Sequence, residues 1–268
     1  MPAPQELLQT AVQAAHAAAD LLRELATQPR QVHEKGYLDI VTDGDLAADQ
    51  AIQGVILRDW PGHHLLSEED EAARQGPWQP SDGYWWLVDP IDGTTNFARG
   101  LPSWSISIAC GQGEQLLAGV VFDVARDDLY AAAQGSGATR NGDSIFTNQR
   151  AELAWAMCLN DYPVAAEIRA EMIGHMTRLL PQIRALRCWG TTALGLAHVA
   201  AGFADAYFHN GFHVWDVAAG VLLVQEAGGL VTGFDGTPWR LDMPTLLASN
   251  RPLQPAFVQI LSADTSSA

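Results

Sequence analysis

The feature that most constrains this chain is the run Tyr84-Trp85-Trp86-Leu87-Val88, which leads directly into Asp89-Pro90-Ile91-Asp92-Gly93-Thr94-Thr95-Asn96-Phe97. A short aromatic and branched run of this kind predicts a buried strand, and it meets an acidic turn at Asp89-Pro90. Two carboxylates at i and i+3 around a proline can point at one place. Hard cations such as Mg²⁺ take oxygen ligands, and an aspartate shared between two ions, with a nearby backbone carbonyl, is one way to build a binuclear site. Gly93-Thr94-Thr95 adds backbone N–H groups and hydroxyls, and a helix starting there would attract a phosphate. A lone pair of aspartates at this spacing can be no more than a capped turn; the nine-residue string is far more specific.

The rest of the chain supplies helices and strands to surround that segment. Leu8, Val12, Ala15, Ala19 and Leu22 recur at three and four, which predicts a packing helix over Leu7 to Ala26 that ends before Pro29. Leu46 to Leu57 is a second helical pattern, and His63 to Pro80 reads as a strand end followed by an acidic loop. Trp104 to Ala109, Leu116 to Phe122 and Asp128 to Ala133 read as further strands, with Asn141-Gly142 a strong turn signal. After about Thr147 strands and helices alternate: a strand at Cys158, a helix over Ala165 to Leu180, a strand at Leu186, a helix over Thr192 to Ala201, a strand over Ala206 to Phe208 and a helix over Val217 to Ala227. Alternation of this kind predicts an α/β lobe. No Pro/Ser/Gly-rich connector breaks the chain, so residues 1–147 and 148–268 are expected to be two lobes of one packed unit, with room for a site between them.

Composition narrows the function. Lys and Arg number 15 against 31 Asp and Glu, a net charge of −16 that disfavours nucleic-acid phosphates and an anionic membrane surface. An anionic ligand would then need bound cations to overcome the repulsion. Cys110, Cys158 and Cys188 are odd in number and widely spaced, which indicates neither a disulfide framework nor a zinc site, and each is expected to be a small core residue. With no basic-then-apolar stretch at the start and no run of about 18 apolar residues, the expected location is the cytoplasm.

Asp89 to Phe97, together with Trp215-Asp216-Val217-Ala218-Ala219-Gly220 and Glu226-Ala227-Gly228-Gly229, resembles the signature regions of the inositol monophosphatase family of metal-dependent phosphatases. Asp39 to Asp45, Pro61-Gly62-His63 leading to Glu68-Glu69, and Gly135 to Ala138 before Asn141-Gly142 follow the same family in order and spacing, so the resemblance covers roughly residues 5 to 252. It implies a mixed α+β and α/β chain folded as a layered αβαβα sandwich, the architecture shared with fructose-1,6-bisphosphatase. It also implies a homodimer that hydrolyses phosphate monoesters with two or three Mg²⁺ ions and is sensitive to Li⁺. Carried over by position, Glu68, Asp89 and the carbonyl of Ile91 would hold one ion, with Asp89, Asp92 and Asp216 on the second. Asp45 would orient the Thr94 hydroxyl, which positions a metal-activated water for in-line attack on phosphorus, and Glu68 could help as a base. Taken alone, Asp45 and Asp216 are equally well explained as acids capping helix starts. Lys35 and Asp39 would form a loop that influences a third, weaker ion.

Substrate contacts implied by the same resemblance are Gly93, Thr94, Thr95, Gly190, Thr191, Thr192, His209 and Asp216. Gly190-Thr191-Thr192 is also an ordinary helix start. At 209 the inositol-specific relatives place an acid that accepts hydrogen bonds from ring hydroxyls, whereas a neutral imidazole accepts only one. The expected substrate is therefore a small phosphorylated polyol or sugar, with myo-inositol 1-phosphate first. Fructose 1,6-bisphosphate, histidinol phosphate or a 3′-phosphonucleotide are the alternatives. A regulatory binding protein that retains the fold is a further alternative, which the intact set of carboxylates argues against. The remaining histidines, including His63, His64 and His213, read as structural or surface groups, because oxygen ligands already account for a Mg²⁺ site. Carboxylate pairs also serve glycosidases, but here the acids lie too close in sequence and beside an anion-binding turn.

Overall fold

Along the strand Tyr84–Asp92, successive side chains enter two different apolar layers. Trp85 and Leu87 belong to a cluster with Leu194, Tyr207 and Ala219, while Trp86 and Val88 belong to one with Leu7, Ala15 and Ile52. A strand buried on both faces needs a cover on each, and that requirement builds the layers.

The computed structural model describes residues 2–28, 31–36, 39–73, 78–163 and 165–263. The chain begins with helix α1 (Pro4–Leu25), a two-stranded ribbon β1 (Val32–Gly36) and β2 (Asp39–Thr42), and helix α2 (Asp43–Asp59). Strands β3 (His64–Ser67) and β4 (Tyr84–Asp92), the short helix α3 (Thr94–Arg99), and strands β5 (Ser105–Gln112), β6 (Gln115–Asp123), β7 (Asp128–Ala133), β8 (Ala138–Arg140) and β9 (Asp143–Ile145) follow. These strands form a seven-stranded sheet in sequence order, antiparallel except for the parallel pair β3 and β4. The remaining elements are β10 (Met157–Asn160), α4 (Ala166–Leu179), β11 (Ala185–Cys188), α5 (Thr192–Ala200), β12 (Ala206–Asn210), α6 (Val214–Glu226), β13 (Leu230–Thr232), β14 (Thr245–Ser249) and α7 (Gln254–Leu261). They build a five-stranded sheet in the order β11-β10-β12-β14-β13.

Helices α1 and α2 cover one face of the large sheet, and α5 and α6 fill the space between the two sheets. Helices α4 and α7 close the far face of the small sheet through Met172, Leu179, Phe257 and Leu261. The result is an αβαβα sandwich. Helix α6 lies so close to β6 that a Cβ at Gly119 would stand 3.0 Å from the Ala219 carbonyl oxygen. One at Gly220 would meet the Leu196 Cβ at 2.4 Å, so α5 and α6 touch almost backbone to backbone.

Several expectations change. The buried stripe of α1 is wider than the sequence periodicity predicts: Leu7, Ala11, Ala14 and Ala18 join Ala15, Ala19 and Leu22, while Leu8 and Val12 sit at its margin. The reason is that α1 packs against both α2 and the sheet. Strand β4 does not stop at Asp89 but runs through Pro90 to Asp92. The second lobe is not wholly parallel, since β14 pairs antiparallel with both β12 and β13. Cys110 and Cys158 are buried as expected, but Cys188 is exposed, at the end of the edge strand β11 where it lines a cavity.

Filling the α5–α6 contact should be costly. Gly220→Val is expected to destabilise the protein by about 2–3 kcal/mol, because Leu196 has no room to retreat; urea unfolding followed by circular dichroism measures the loss.

Candidate active site

A β-bulge makes the carboxylate cluster possible. On β5, Ser107 pairs with Asp89 and Ser105 with Asp92, so three steps along β4 match two along its partner. In an unbroken strand residues three apart face opposite sides; the extra residue turns Asp92 back toward the side of Asp89. Pro90, which lacks an N–H, is tolerated at such an irregularity. Gly93 then reverses the chain at φ +97°, and a Cβ there would come within 2.9 Å of the Gly190 carbonyl oxygen. Only glycine satisfies both demands.

The other two acids arrive from neighbouring elements. Because β3 runs parallel to β4 with Ser67 opposite Val88, Glu68 emerges beside Asp89. Asp216 lies in the first turn of α6, where its carboxylate accepts the His213 N–H at 2.8 Å. The Ser107 hydroxyl donates to the Trp215 carbonyl at 3.1 Å and so fastens the start of α6 to the strand next to Asp89. Burial, followed by the charges of Glu68, Asp92 and Asp216, holds the Asp89 carboxyl well above the usual carboxylate range. Among the described residues its Oδ1 is buried without a hydrogen-bond partner.

Asp92 is stabilised differently. It accepts hydrogen bonds from the Thr191 hydroxyl, from Thr192 N at 3.0 Å and from Ala193 N at 2.7 Å, with Ser105 Oγ at 3.3 Å. Thr191 makes no side-chain cap of its own helix, so a carboxylate a hundred residues away caps α5. Burial raises the Asp92 carboxyl and these four donors oppose the rise. Among the described residues, no three acid, histidine or cysteine side chains converge closely enough to enclose an ion as they stand. Even so, an all-oxygen set containing a buried, unpartnered carboxylate oxygen is chemically suited to a hard divalent cation.

Asp45 fills both roles that the sequence leaves open. One oxygen accepts the Thr42 N–H at 2.7 Å, as a capping acid would, and the other accepts the Thr94 hydroxyl at 3.1 Å. Thr94 Oγ1 also lies 3.0 Å from the Ile91 carbonyl. Burial raises the Asp45 carboxyl against these hydrogen bonds.

A cavity of about 950 Å³ opens over these groups. Glu68, Asp89, Ile91, Asp92, Gly93, Thr94, Thr95 and Asp216 line it on one side, and Gly190, Thr191, Thr192 and His209 on another; Asp45 lies behind Thr94. The side chains of Lys35 and Asp39 fall outside the described residues. Sequence reasoning missed Asp161, Tyr162, Arg169 and Phe212, which also line the cavity. Asp161 accepts Gly190 N at 2.6 Å, Cys188 Sγ at 3.3 Å and Tyr207 OH at 3.3 Å, and so holds the wall formed by residues 188–190. A signal for it existed: Asn160-Asp161-Tyr162-Pro163 places an acid just after a parallel strand and shortly before a proline, much as Asp89-Pro90 does. Burial pushes His209 down to about 4, so its imidazole is neutral, with Nδ1 donating to the Asn210 carbonyl at 2.7 Å.

With this geometry described, comparison with known proteins is decisive about kinship. Residues 3–265 match the inositol monophosphatase family. Inositol monophosphatase 2 of Solanum lycopersicum is 34% identical over 96% of this chain and 98% of its own length. The Nus factor SuhB of Pseudomonas aeruginosa is 36% identical over 92% of each. A solved inositol monophosphatase from Anabaena superposes with a TM-score of 0.84 at 32% identity, covering 96% of both chains. The chain belongs to the inositol monophosphatase family and is a phosphatase. Among the described residues no helix is long and apolar enough to cross a membrane.

Asp161 makes the stability of the metal-free protein dependent on pH. Burial raises its carboxyl from 3.8 to about 7, so the folded state holds its proton more tightly than the unfolded chain does. The Asp161 contribution is complete below pH 3.8 and is lost as pH rises through about 7. Relative to Asp161→Asn, which cannot ionise, the wild type should lose stability over that window with a slope of up to about 1.4 kcal/mol per pH unit. Parallel denaturant titrations of the two proteins would show a constant difference if the carboxyl were not perturbed.

Proposed function

We propose that the protein is a Mg²⁺-dependent phosphomonoesterase acting on a small phosphorylated polyol or sugar. The observation that carries this reading is the gathering of Glu68, Asp89, Asp92 and Asp216 from three separate parts of the chain, the end of β3, β4 and α6, around one cavity, with a buried Asp89 oxygen that has no hydrogen-bond partner among the described residues. Electrostatics alone would disperse such a group, so its assembly argues for a compensating cation.

Glu68, Asp89, the Ile91 carbonyl, Asp92 and Asp216 are the proposed ligands. Mg²⁺ bound there would neutralise the phosphoryl oxygens, acidify the attacking water and stabilise the leaving alkoxide. Thr94 orients that water: its hydroxyl proton is taken up by Asp45 and the Ile91 carbonyl, which leaves an oxygen lone pair to accept a hydrogen bond from the nucleophile. Asp45 is held for this task by Thr42 and α2, and it needs no proton transfer of its own. Glu68 stands beside Asp89 and is the proposed base. Gly93, Thr94 and Thr95 line the cavity, and their N–H groups with the Thr95 hydroxyl would receive phosphoryl oxygens. Gly190, Thr191 and Thr192 form the wall beside the leaving group, together with His209 and Asp161.

Phosphate release from a panel of polyol, sugar and nucleotide monoesters, begun with myo-inositol 1-phosphate and run with and without Mg²⁺, tests the proposal. Release that is absent from every substrate, or indifferent to the metal, contradicts it. Asp92→Asn is expected to abolish turnover and weaken Mg²⁺ binding measured by calorimetry, since the amide removes a charge while keeping an acceptor for the start of α5. Thr94→Ala should slow turnover about 10²-fold or more with metal binding largely kept, as expected for loss of a positioning contact near the reacting atoms. Near-normal rates in both variants would refute the mechanism.

A further inference from the structure

Arg169 stands out in a cavity otherwise dominated by acids. It lies in the first turn of α4, half-buried, and its Nε donates to the Pro163 carbonyl at 3.0 Å. Among the described residues it forms no ion pair, although acids outnumber cationic side chains two to one in this chain. The start of α4 is pressed onto the loop between β12 and α6: a Cβ at Gly211 would stand 3.1 Å from Ile168 and 3.2 Å from Pro163. That loop carries Phe212, and His209 precedes it. Arg169 therefore belongs to the leaving-group wall, not to the carboxylate cluster that would hold metal.

The chemistry of this wall is specific. His209 is neutral with Nδ1 committed to Asn210, which leaves Nε2 as a single acceptor. Asp161 turns its two oxygens to three donors, so its carboxyl is engaged within the wall itself. Arg169 is left as the cation facing this part of the cavity. A guanidinium with its Nε anchored still presents its two terminal nitrogens side by side, a fork that matches phosphate or carboxylate oxygens. An uncharged polyol could accept hydrogen bonds from that fork but would leave its charge without a counter-ion, at a cost in binding.

We infer that the leaving group of the natural substrate carries a second anion, a phosphate or a carboxylate, which Arg169 receives while His209 Nε2 accepts a hydrogen bond from a neighbouring hydroxyl. The inference rests on the phosphatase reading above and narrows its substrate class. A cavity of about 950 Å³ leaves room for an anion at each side of a sugar-sized body.

The test uses the full chain with Mg²⁺ and two matched pairs of esters: fructose 1,6-bisphosphate against fructose 1-phosphate, and 2-phosphoglycerate against glycerol 2-phosphate. The wild type should favour the doubly anionic member in kcat/KM by about tenfold or more in one pair, and the pair that shows it tells phosphate from carboxylate. Arg169→Ala should reduce that preference by about ten- to a hundredfold, through KM and not kcat, with Arg169→Lys recovering part of it. If the alanine variant does not fold, Arg169→Gln gives the same comparison, because it keeps a donor within reach of the Pro163 carbonyl. Equal kcat/KM within both pairs, or an Arg169 loss that falls equally on both members of a pair, overturns the inference while phosphate release continues. Release from none of these esters, nor from myo-inositol 1-phosphate, is instead a failure of the phosphatase reading and takes this inference with it.

Discussion

Mutual repulsion among clustered carboxylates is the constraint on which the rest of the structure depends. Asp89 and Asp92 are buried and Glu68 and Asp216 half-buried beside them, and an ionised pair costs more there than in bulk solvent. Layers on both sides of β4 supply the rigidity that keeps them gathered. Each acid also has a local anchor in the backbone: the bulge for Asp89 and Asp92, the parallel register of β3 for Glu68, and the fastened start of α6 for Asp216.

Asp92 shows how the same acids hold the molecule together. Its carboxylate caps α5 through Thr191, Thr192 and Ala193, so a residue at the end of the first sheet stabilises the first turn of a helix packed under the second. Capping of this kind contributes on the order of 1 kcal/mol. A cation drawn to Asp92 would compete for oxygens already engaged with α5, and the position of that helix is thereby linked to the chemistry of the cavity. The wall at 188–190, held by Asp161, moves in the same network through Gly190 and the Tyr207–Thr192 hydrogen bond.

The division of labour inside the cavity follows from charge. One side is acidic and suited to divalent ions; the leaving-group side carries Arg169, with the Asp161 carboxyl turned to the Gly190, Cys188 and Tyr207 donors. An overall charge of −16 makes a cation with no ion pair among the described residues informative in this setting, because the chain has many carboxylates available to neutralise it. His209 belongs to the same side, and burial keeps it uncharged at neutral pH.

The sequence by itself determined the first carboxylate segment, the layered fold and most of the cavity wall, since Asp89 to Phe97 and Trp215 to Gly220 are contiguous strings whose chemistry survives without coordinates. Roles that depend on a partner distant in sequence were not legible. Asp45 read equally as a helix cap and as a partner of Thr94, and only the approach of β4 to α2 showed that its two oxygens do both. Arg169 carries no motif and Asp161 only an acid shortly before a proline; both acquire meaning from the five-stranded sheet that sets the end of β10 and the start of α4 beside Gly190 and Gly211. Local strings encode which groups can bind or react, but the direction in which a buried group faces is decided by long-range packing, because hydrogen bonds and close contacts across about a hundred residues have no periodicity to betray them.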